Sequence, residues 1–205
     1  MSTRIRLALC AAVLGAAAAR PALAAKVGRA APAFAATDLD GKPVSLAGFK
    51  GRTVVLEWHN KGCPFVVKHY ASGNLPKLQA KWTARGVVWL SIVSSSPGTE
   101  GFCTPAEAKE DVAAYRAAVT AMILDPEGTI GRLYGAKCTP HMFVVNPKGV
   151  LIYDGAIDDH PTTEAEDIPA SKNWVDQALT ESLAGKKVSV SSTRPYGCGV
   201  KYAKK

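Results

Sequence analysis

The cysteine with the most chemical context in this sequence is Cys63, in the stretch WHNKGCPFVVKHY. Pro64 follows it, and proline is favoured in the first helical turn, so Cys63 is predicted to lie at a helix N-terminus. The helix dipole and the free N–H groups there favour the thiolate over the thiol. The position three residues later is Val66, not a second cysteine. The pattern therefore predicts a single attacking thiolate instead of a dithiol within one turn.

Two neighbouring patterns indicate where this cysteine lies in the fold. The run RTVVLEW predicts a buried strand that ends at Trp58, so a strand–loop–helix corner presents Cys63 at the C-terminal edge of a sheet. The stretch CTPHMFVV sets Thr139 and Pro140 directly before another strand, followed by His141. Proline cannot donate to a strand ladder, so the backbone there is expected to face something else.

The remaining elements alternate between strand and helix. We predict a hairpin around Asp40–Gly41, a helix from Pro64 to about Ala84 interrupted at Pro76, a capping box over 104–107 and a final helix over roughly 163–185. Strands that alternate with helices predict an α/β fold, with a central mixed β-sheet flanked by helices, an N-terminal hairpin and a C-terminal tail.

The first 24 residues have the pattern of a secretory signal peptide. A basic start, a short apolar run and small residues at Ala22 and Ala24 predict export and cleavage near Ala24, and the apolar run is too short to span a membrane. We therefore expect a signal peptide over 1–24, one domain over 25–186 and a cysteine-bearing tail over 187–205, in the periplasm or secreted. Scattered basic residues without a basic helix argue against nucleic-acid binding.

Cleavage would leave four cysteines, namely Cys63, Cys103, Cys138 and Cys198, because Cys10 lies in the leader. An even number in an exported protein is typical of an oxidising compartment, where disulfides persist. The net charge would fall from +8 to +5, since three arginines and no acidic residue leave with the leader.

Several stretches together resemble a known family. VVLEWHNKGCPF and TPHMFVVNPKG resemble the thioredoxin-fold redoxins, and more narrowly the peroxiredoxin-like branch of the alkyl hydroperoxide reductase/thiol-specific antioxidant family. CPFVVKHY, GAIDD and PYGCGVKY resemble a secreted bacterial subgroup of that branch. The resemblance implies a thioredoxin-like fold, a cis Thr139–Pro140 peptide packed against Cys63, and no bound cofactor.

The sequence also departs from the family pattern. Leu56 and Asn60 occupy the offsets of the proline and the threonine that peroxiredoxins place before their reactive cysteine. We expect the Asn60 amide to position the substrate in place of the threonine hydroxyl. Arg132 and Lys68 are the two candidates for the cation that binds a peroxide in that family.

A thiolate that attacks a hydroperoxide becomes a sulfenic acid, which another thiol must resolve. Cys198 is the preferred resolving residue, because glycines flank it in YGCGV and a flexible backbone lowers the hindrance to disulfide exchange. Cys138 is the rival, since it precedes the Thr-Pro corner. The favoured pairing is Cys63–Cys198, with Cys103–Cys138 as a structural disulfide, and the other pairings stay open.

The main prediction is a thiol-dependent oxidoreductase in which Cys63 reduces hydroperoxides and Cys198 resolves the product. Trp58, Asn60, Pro64, Thr139, Pro140 and His141 are predicted to form the substrate pocket. A thiol reductant of the thioredoxin type would recycle the protein, with a homodimer as an option.

Three alternatives stay open. The first is thiol–disulfide exchange with protein disulfides. The second is copper or zinc binding by the cysteines and histidines of this corner, including His59 and His69. The third is a degenerate redoxin that serves as a binding domain. Each histidine taken alone is better explained by packing than by catalysis.

Overall fold

The computed structural model describes residues 24–204. The predicted signal peptide lies outside these residues except for Ala24. The strands are β1 (Ala35–Thr37), β2 (Pro43–Ser45), β3 (Val54–Trp58), β4 (Val88–Val93), β5 (Ala121–Leu124), β6 (Cys138–Thr139), β7 (His141–Val145), β8 (Leu151–Gly155) and β9 (Cys198–Gly199). The α-helices are α1 (Pro64–Ala71), α2 (Asn74–Thr83), α3 (Pro105–Ala114), α4 (Thr129–Tyr134) and α5 (Trp174–Leu183).

A five-stranded mixed sheet forms the centre, in the order β5-β4-β3-β7-β8. The strands β3, β4 and β5 are parallel, whereas β7 is antiparallel to both β3 and β8. The carboxyl ends of β3 and β4 therefore meet the start of β7 at one edge of the sheet. This arrangement confirms the predicted α/β class and the N-terminal hairpin, which is formed by β1 and β2.

The sheet separates two apolar layers because its side chains alternate between faces. On one face, Val55 and Trp89 pack with Cys63 and with residues of α1, α2 and α5. On the other face, Leu56 and Trp58 pack with Ile130 and other residues near α4. Cys63 thus lies at the edge of the sheet on the α1 side.

The predicted break at Pro76 is wrong in position. The first helix ends at Ala71, and Gly73 adopts a left-handed conformation with φ of 74° immediately before α2. Pro76 then lies in the first turn of α2. Backbone N–H groups there have no acceptor within the helix, so a proline removes no helical hydrogen bond. Glycine at the junction, and not proline, therefore separates the two helices.

The other helix predictions have mixed outcomes. Thr104 and Glu107 form the predicted capping box at the start of α3, with Pro105 in the first turn. The final helix is shorter than predicted, because Ala165–Ala170 forms a 3₁₀ helix that contains Pro169, and α5 begins only at Trp174. Asn173 caps α5 by accepting a hydrogen bond from the N–H of Asp176.

The tail folds back across the edge of the sheet that contains Cys63. Its β9 segment pairs antiparallel with β6, and the N–H of Ser96, just past β4, donates to the carbonyl of Lys201. Farther along, the Tyr202 hydroxyl donates to the carbonyl of Ala136. The tail is therefore a strap over the site that the sequence predicts.

Candidate active site

Cys63 occupies the N-cap position of α1, with Pro64 in the first turn as predicted. Its carbonyl accepts hydrogen bonds from the N–H groups of Val66 and Val67. Its thiol is fully buried and donates to the carbonyl of Thr139 at 3.0 Å. Because the sulfur contacts Thr139, the two predicted corners meet there. The Thr139–Pro140 peptide is cis.

The surroundings of Cys63 favour the thiolate. Burial alone would raise the pKa of its thiol, because charge is costly away from water. Hydrogen bonds from the Cys198 thiol, the Thr139 side chain and the backbone N–H groups of Cys198 and Val66 outweigh burial and lower the pKa below its usual value. Cys63 is therefore an activated thiol at a helix N-terminus.

Cys198 lies against Cys63 through the pairing of β9 with β6. Cys198 is opposite Thr139 in that ladder, and Gly199 is opposite Cys138. Burial, followed by its hydrogen bond to Cys63 and the charge of that sulfur, raises the pKa of Cys198 to about 12. Cys63 is therefore the more acidic thiol of the pair.

Gly197 permits this close approach of the tail. Its φ of 130° lies in a region that favours glycine. A Cβ built at this position would lie 2.0 Å from the carbonyl oxygen of Thr139. The glycine before Cys198 therefore serves contact with the Thr-Pro corner as well as flexibility.

The other two cysteines have different surroundings. Cys103 is buried with Val93, Ala108 and Met122, and burial raises its pKa. Cys138 lies beside the site in β6, where burial followed by the charge of Cys63 raises its pKa to about 12. The four cysteines among residues 24–204 are free thiols, so the predicted Cys103–Cys138 disulfide stays a prediction.

Asn60 and Trp58 lie near Cys63 in sequence but are engaged elsewhere. The Asn60 side-chain oxygen accepts a hydrogen bond from the N–H of Gly62 at 2.8 Å, which shapes the loop before the cysteine. Trp58 packs with Tyr134 and Phe143 in the layer on the opposite face of the sheet, and its Nε1 donates to Ser94. Their observed contacts are those of loop and core residues.

The histidines are engaged in polar contacts. His141 follows Pro140, and its two ring nitrogens lie 2.8 Å from Asp154 Oδ1 and 3.2 Å from the N–H of Lys137. His59 lies 2.8 Å from the carboxylate of Asp111 in α3.

The two candidate cations are bound to partners other than Cys63. Lys68 Nζ donates to the carbonyl of His160 at 3.1 Å. Arg132 donates to the carbonyl of Ala203 and lies over the ring of Tyr202, so it binds the tail.

A buried acidic residue escaped the sequence analysis. Glu57 in β3 is fully buried and accepts hydrogen bonds from Tyr70, Gln79 and Trp89 at 2.7, 3.1 and 2.6 Å. The signal was present, because a charged residue inside the apolar run VVLEW must find partners when buried. This network lies between β3 and the helices α1 and α2.

A metal centre receives no support from residues 24–204. No group of three or more histidine, cysteine, aspartate or glutamate side chains in that range is arranged to hold a metal ion. Within the same range, no helix has the length and apolar character needed to cross a membrane.

Comparison with known proteins agrees with this architecture. Two curated relatives, the thiol-disulfide oxidoreductases ResA of Bacillus thuringiensis subsp. konkukian and Bacillus cereus, are each 28% identical over 131 residues, which is 63% of this chain and 69% of theirs. An uncharacterized conserved protein from Geobacillus kaustophilus has a TM-score of 0.73 at 25% identity, over 88% of this chain and 94% of that one. A putative thiol:disulfide interchange protein DsbE from Chlorobium tepidum has a TM-score of 0.56 at 22% identity, over 78% of this chain and 99% of that one.

The likeness to these structures, together with the mixed sheet and the cis-proline corner, identifies the fold as thioredoxin-like. A family model described as AhpC/TSA family matches residues 27–154. Because that match covers well over half of the chain, the protein belongs to the AhpC/TSA family.

Proposed function

We propose that this protein is a thiol–disulfide oxidoreductase whose redox pair is formed by Cys63 and Cys198. The observation that carries the proposal is the pairing of β9 with β6, which sets Cys198 opposite Thr139, the residue whose carbonyl lies 3.0 Å from the Cys63 sulfur. This proximity of Cys198 lowers the pKa of Cys63, and burial together with the neighbouring Cys63 raises the pKa of Cys198. The ResA relatives are thiol-disulfide oxidoreductases by name, which agrees with this chemistry. The partner of Cys63 is therefore brought by the tail instead of by the next turn of α1.

The reaction begins with attack of the Cys63 thiolate on one sulfur of a substrate disulfide. A mixed disulfide forms on Cys63, and the other substrate sulfur leaves as a thiolate that takes up a proton. The charge on Cys63 is then gone, and with it one cause of the raised pKa of Cys198. Cys198 loses its proton and attacks Cys63, which releases the second substrate thiol.

The products are a reduced substrate and a Cys63–Cys198 disulfide, so two electrons pass from the protein to the substrate. A thiol reductant of the thioredoxin type returns the protein to the dithiol state by the reverse exchange. Thr139 contributes to the site in both protonation states of Cys63, because its carbonyl accepts a hydrogen bond from the thiol and its side chain favours the thiolate.

Reduction of hydroperoxides is the second candidate function. A single thiolate at a helix N-terminus favours it, because Cys63 attack on a peroxide yields a sulfenic acid and an alcohol, and Cys198 then forms the disulfide with release of water. Lys68 and Arg132 support it less, since their cationic groups are engaged with other partners. The side-chain oxygen of Asn60 is engaged with the N–H of Gly62. This is why disulfide exchange stands first.

The two functions are separable in one experiment. The reduced protein without residues 1–24 is assayed with a scrambled protein disulfide and, separately, with tert-butyl hydroperoxide, each with a thiol reductant. We expect disulfide exchange that is lost in Cys63→Ser, retained in Cys103→Ser and arrested as a mixed disulfide in Cys198→Ser. Equal exchange by Cys63→Ser and the unsubstituted protein would overturn the proposal, whereas faster turnover of the peroxide would establish the second function.

We place this activity in the periplasm or outside the cell, with residues 1–24 as signal peptide, 25–186 as the redoxin domain and 187–205 as the tail. The patterning of the leader supports this placement. N-terminal sequencing of the exported protein should give a start near Ala25. A start at Met1 would contradict it.

A further inference from the structure

The segment that carries Cys198 is anchored by a buried polar cluster, which we call the clasp: Tyr196, Asp158, His69 and Asn74. The Tyr196 hydroxyl donates to Asp158 Oδ1, and His69 Nε2 lies 3.3 Å from the same hydroxyl oxygen. Asn74 Nδ2 lies 2.8 Å from His69 Nδ1. The cluster therefore joins the tail to the end of α1 and to the start of α2.

The hydrogen bonds of the clasp run in one direction. The Asn74 amide donates to His69 Nδ1, so Nε2 carries the ring hydrogen and donates to the Tyr196 oxygen. Tyr196 in turn donates to Asp158. Burial lowers the pKa of His69 to about 4, so the ring is neutral at neutral pH, as this chain of donors requires.

The Tyr196 hydroxyl is one of the few hydrogen-bond donors to the buried Asp158 carboxylate. The Oδ1 of Asp158 also accepts from the N–H of His160, and its Oδ2 lies 3.8 Å from His69 Nε2. Within residues 24–204, Oδ2 has no hydrogen-bond partner. A buried carboxylate with so few donors loses heavily when one is removed.

The clasp and the redox pair both contact the start of α1. The Tyr196 ring packs edge-on against Phe65, with centroids 5.7 Å apart, and Phe65 lies two residues after Cys63 in α1. Only Gly197 separates Tyr196 from Cys198, and its backbone is confined against the carbonyl of Thr139. The position of the Tyr196 side chain therefore constrains where the Cys198 sulfur lies relative to Cys63.

We propose that Tyr196, held by Asp158 and His69, is a positioning residue that sets the effective concentration of Cys198 at Cys63. The inference rests on the proposed function, because it concerns the same pair of thiols. Tyr196 does not touch the reacting sulfur of the substrate; it acts through the placement of Cys198.

The test is Tyr196→Phe, which removes the hydroxyl and keeps the ring on Phe65. The protein is equilibrated in glutathione redox buffers, and the fraction with a Cys63–Cys198 disulfide is measured by mass. We expect the equilibrium constant for that disulfide to fall about tenfold or more, as for loss of a hydrogen bond to a charged acceptor. In Asp158→Asn, which keeps a carbonyl acceptor for the Tyr196 hydroxyl, the same equilibrium constant should fall by less.

A matched control is Tyr134→Phe, which removes a buried hydroxyl that donates to the carbonyl of Pro32, outside the clasp. Its equilibrium constant should stay within about twofold of the unsubstituted protein. A second readout needs no disulfide: in the Cys198→Ala background, Tyr196→Phe should increase the alkylation rate of Cys63, because the tail that buries it is loosened.

The outcomes separate the two proposals. If the disulfide forms and Tyr196→Phe changes neither its equilibrium constant nor the alkylation rate, the clasp is overturned and the function stands. If the unsubstituted protein forms no Cys63–Cys198 disulfide, the function fails, and the alkylation rate alone decides whether Tyr196 holds the tail. A fall in melting temperature with both readouts unchanged would show a merely structural role and also overturn the clasp.

Discussion

The acidity of Cys63 depends on individual hydrogen-bond donors, because burial at the same position acts against the thiolate. The first of these donors is the thiol of Cys198, which comes from the far end of the chain. Thr139 and the backbone N–H groups of Cys198 and Val66 supply the others. A helix N-terminus alone therefore does not account for the reactivity expected at this position.

The first prediction follows at the residue scale. Cys198→Ala should raise the pKa of Cys63, because the largest single source of stabilisation for the thiolate is removed. The measurement is the pH dependence of iodoacetamide alkylation, followed on the peptide that contains Cys63. Cys103→Ala is the control, since Cys103 lies in a separate cluster with Val93 and Met122. Identical pKa values in all three proteins would contradict the role assigned to Cys198.

At the scale of elements, one ion pair attaches α3 to the sheet. His59 follows β3, and Asp111 lies in α3 with its carboxylate 2.8 Å from the ring. Burial disfavours the charged ring, but the hydrogen bond that His59 donates to Asp111 and the negative charges of Asp111 and Glu57 prevail and raise the pKa of His59 to about 9. The folded protein thus holds a proton on His59 that the unfolded chain releases near pH 6.5.

This pair predicts a loss of stability at alkaline pH. The contribution of His59 is complete below about pH 6.5, where both states are protonated, and it disappears as the pH rises through about 9. The free energy of unfolding should fall over that window by on the order of 3 kcal/mol more than in Asp111→Asn. Denaturant titrations at several pH values measure it. Glu110→Gln, an exposed change on α3, should behave like the unsubstituted protein, and an equal pH dependence in Asp111→Asn would refute the assignment.

The short strand β9 provides a second test at this scale, because two glycines flank Cys198 in different surroundings. Gly197→Ala brings a Cβ to 2.0 Å from the Thr139 oxygen, whereas at Gly199 the nearest atom, the carbonyl oxygen of Lys137, is 3.9 Å away. Gly197→Ala should therefore separate β9 from β6 and slow formation of the Cys63–Cys198 disulfide by at least tenfold, while Gly199→Ala should leave it nearly unchanged. Rates of disulfide formation with oxidised glutathione measure both, and equal rates would show that the pairing of β9 does not matter.

For the whole molecule, the sequence was informative where the relevant interactions are local. Pro64 after Cys63 and the Thr104–Glu107 box predicted helix starts, because capping depends on residues within one turn. The break at Gly73 was misplaced to Pro76, since proline is tolerated in a first turn and the sequence does not reveal where a turn begins.

Features that depend on distant partners were not predictable in the same way. The flexible setting of Cys198 was visible in the sequence. Its pairing with Thr139 depends on the course of a tail that contacts β8 at Ser192 and the loop after β4 at Lys201. The clasp was missed for the same reason, because Tyr196 and Asp158 meet only in the folded chain. Their positions follow from the three-dimensional path of residues 187–204.

The path of the tail leads to a prediction about access to the site. Cys63 is fully buried beneath β9, and β9 occupies the strand edge of β6. An extended polypeptide could bind that edge by adding a strand, as the tail itself does. Removal of residues 195–205 should therefore expose both the Cys63 sulfur and the edge of β6. Cys63 should then form a mixed disulfide faster with an unfolded protein whose single cysteine is activated for disulfide exchange. Cys198→Ser is the control, because it removes the thiol and keeps the tail. We expect truncation to accelerate formation of the mixed disulfide at least tenfold more than Cys198→Ser does, because the tail is a steric cover. Equal acceleration by the two changes would show that the tail acts only through its thiol.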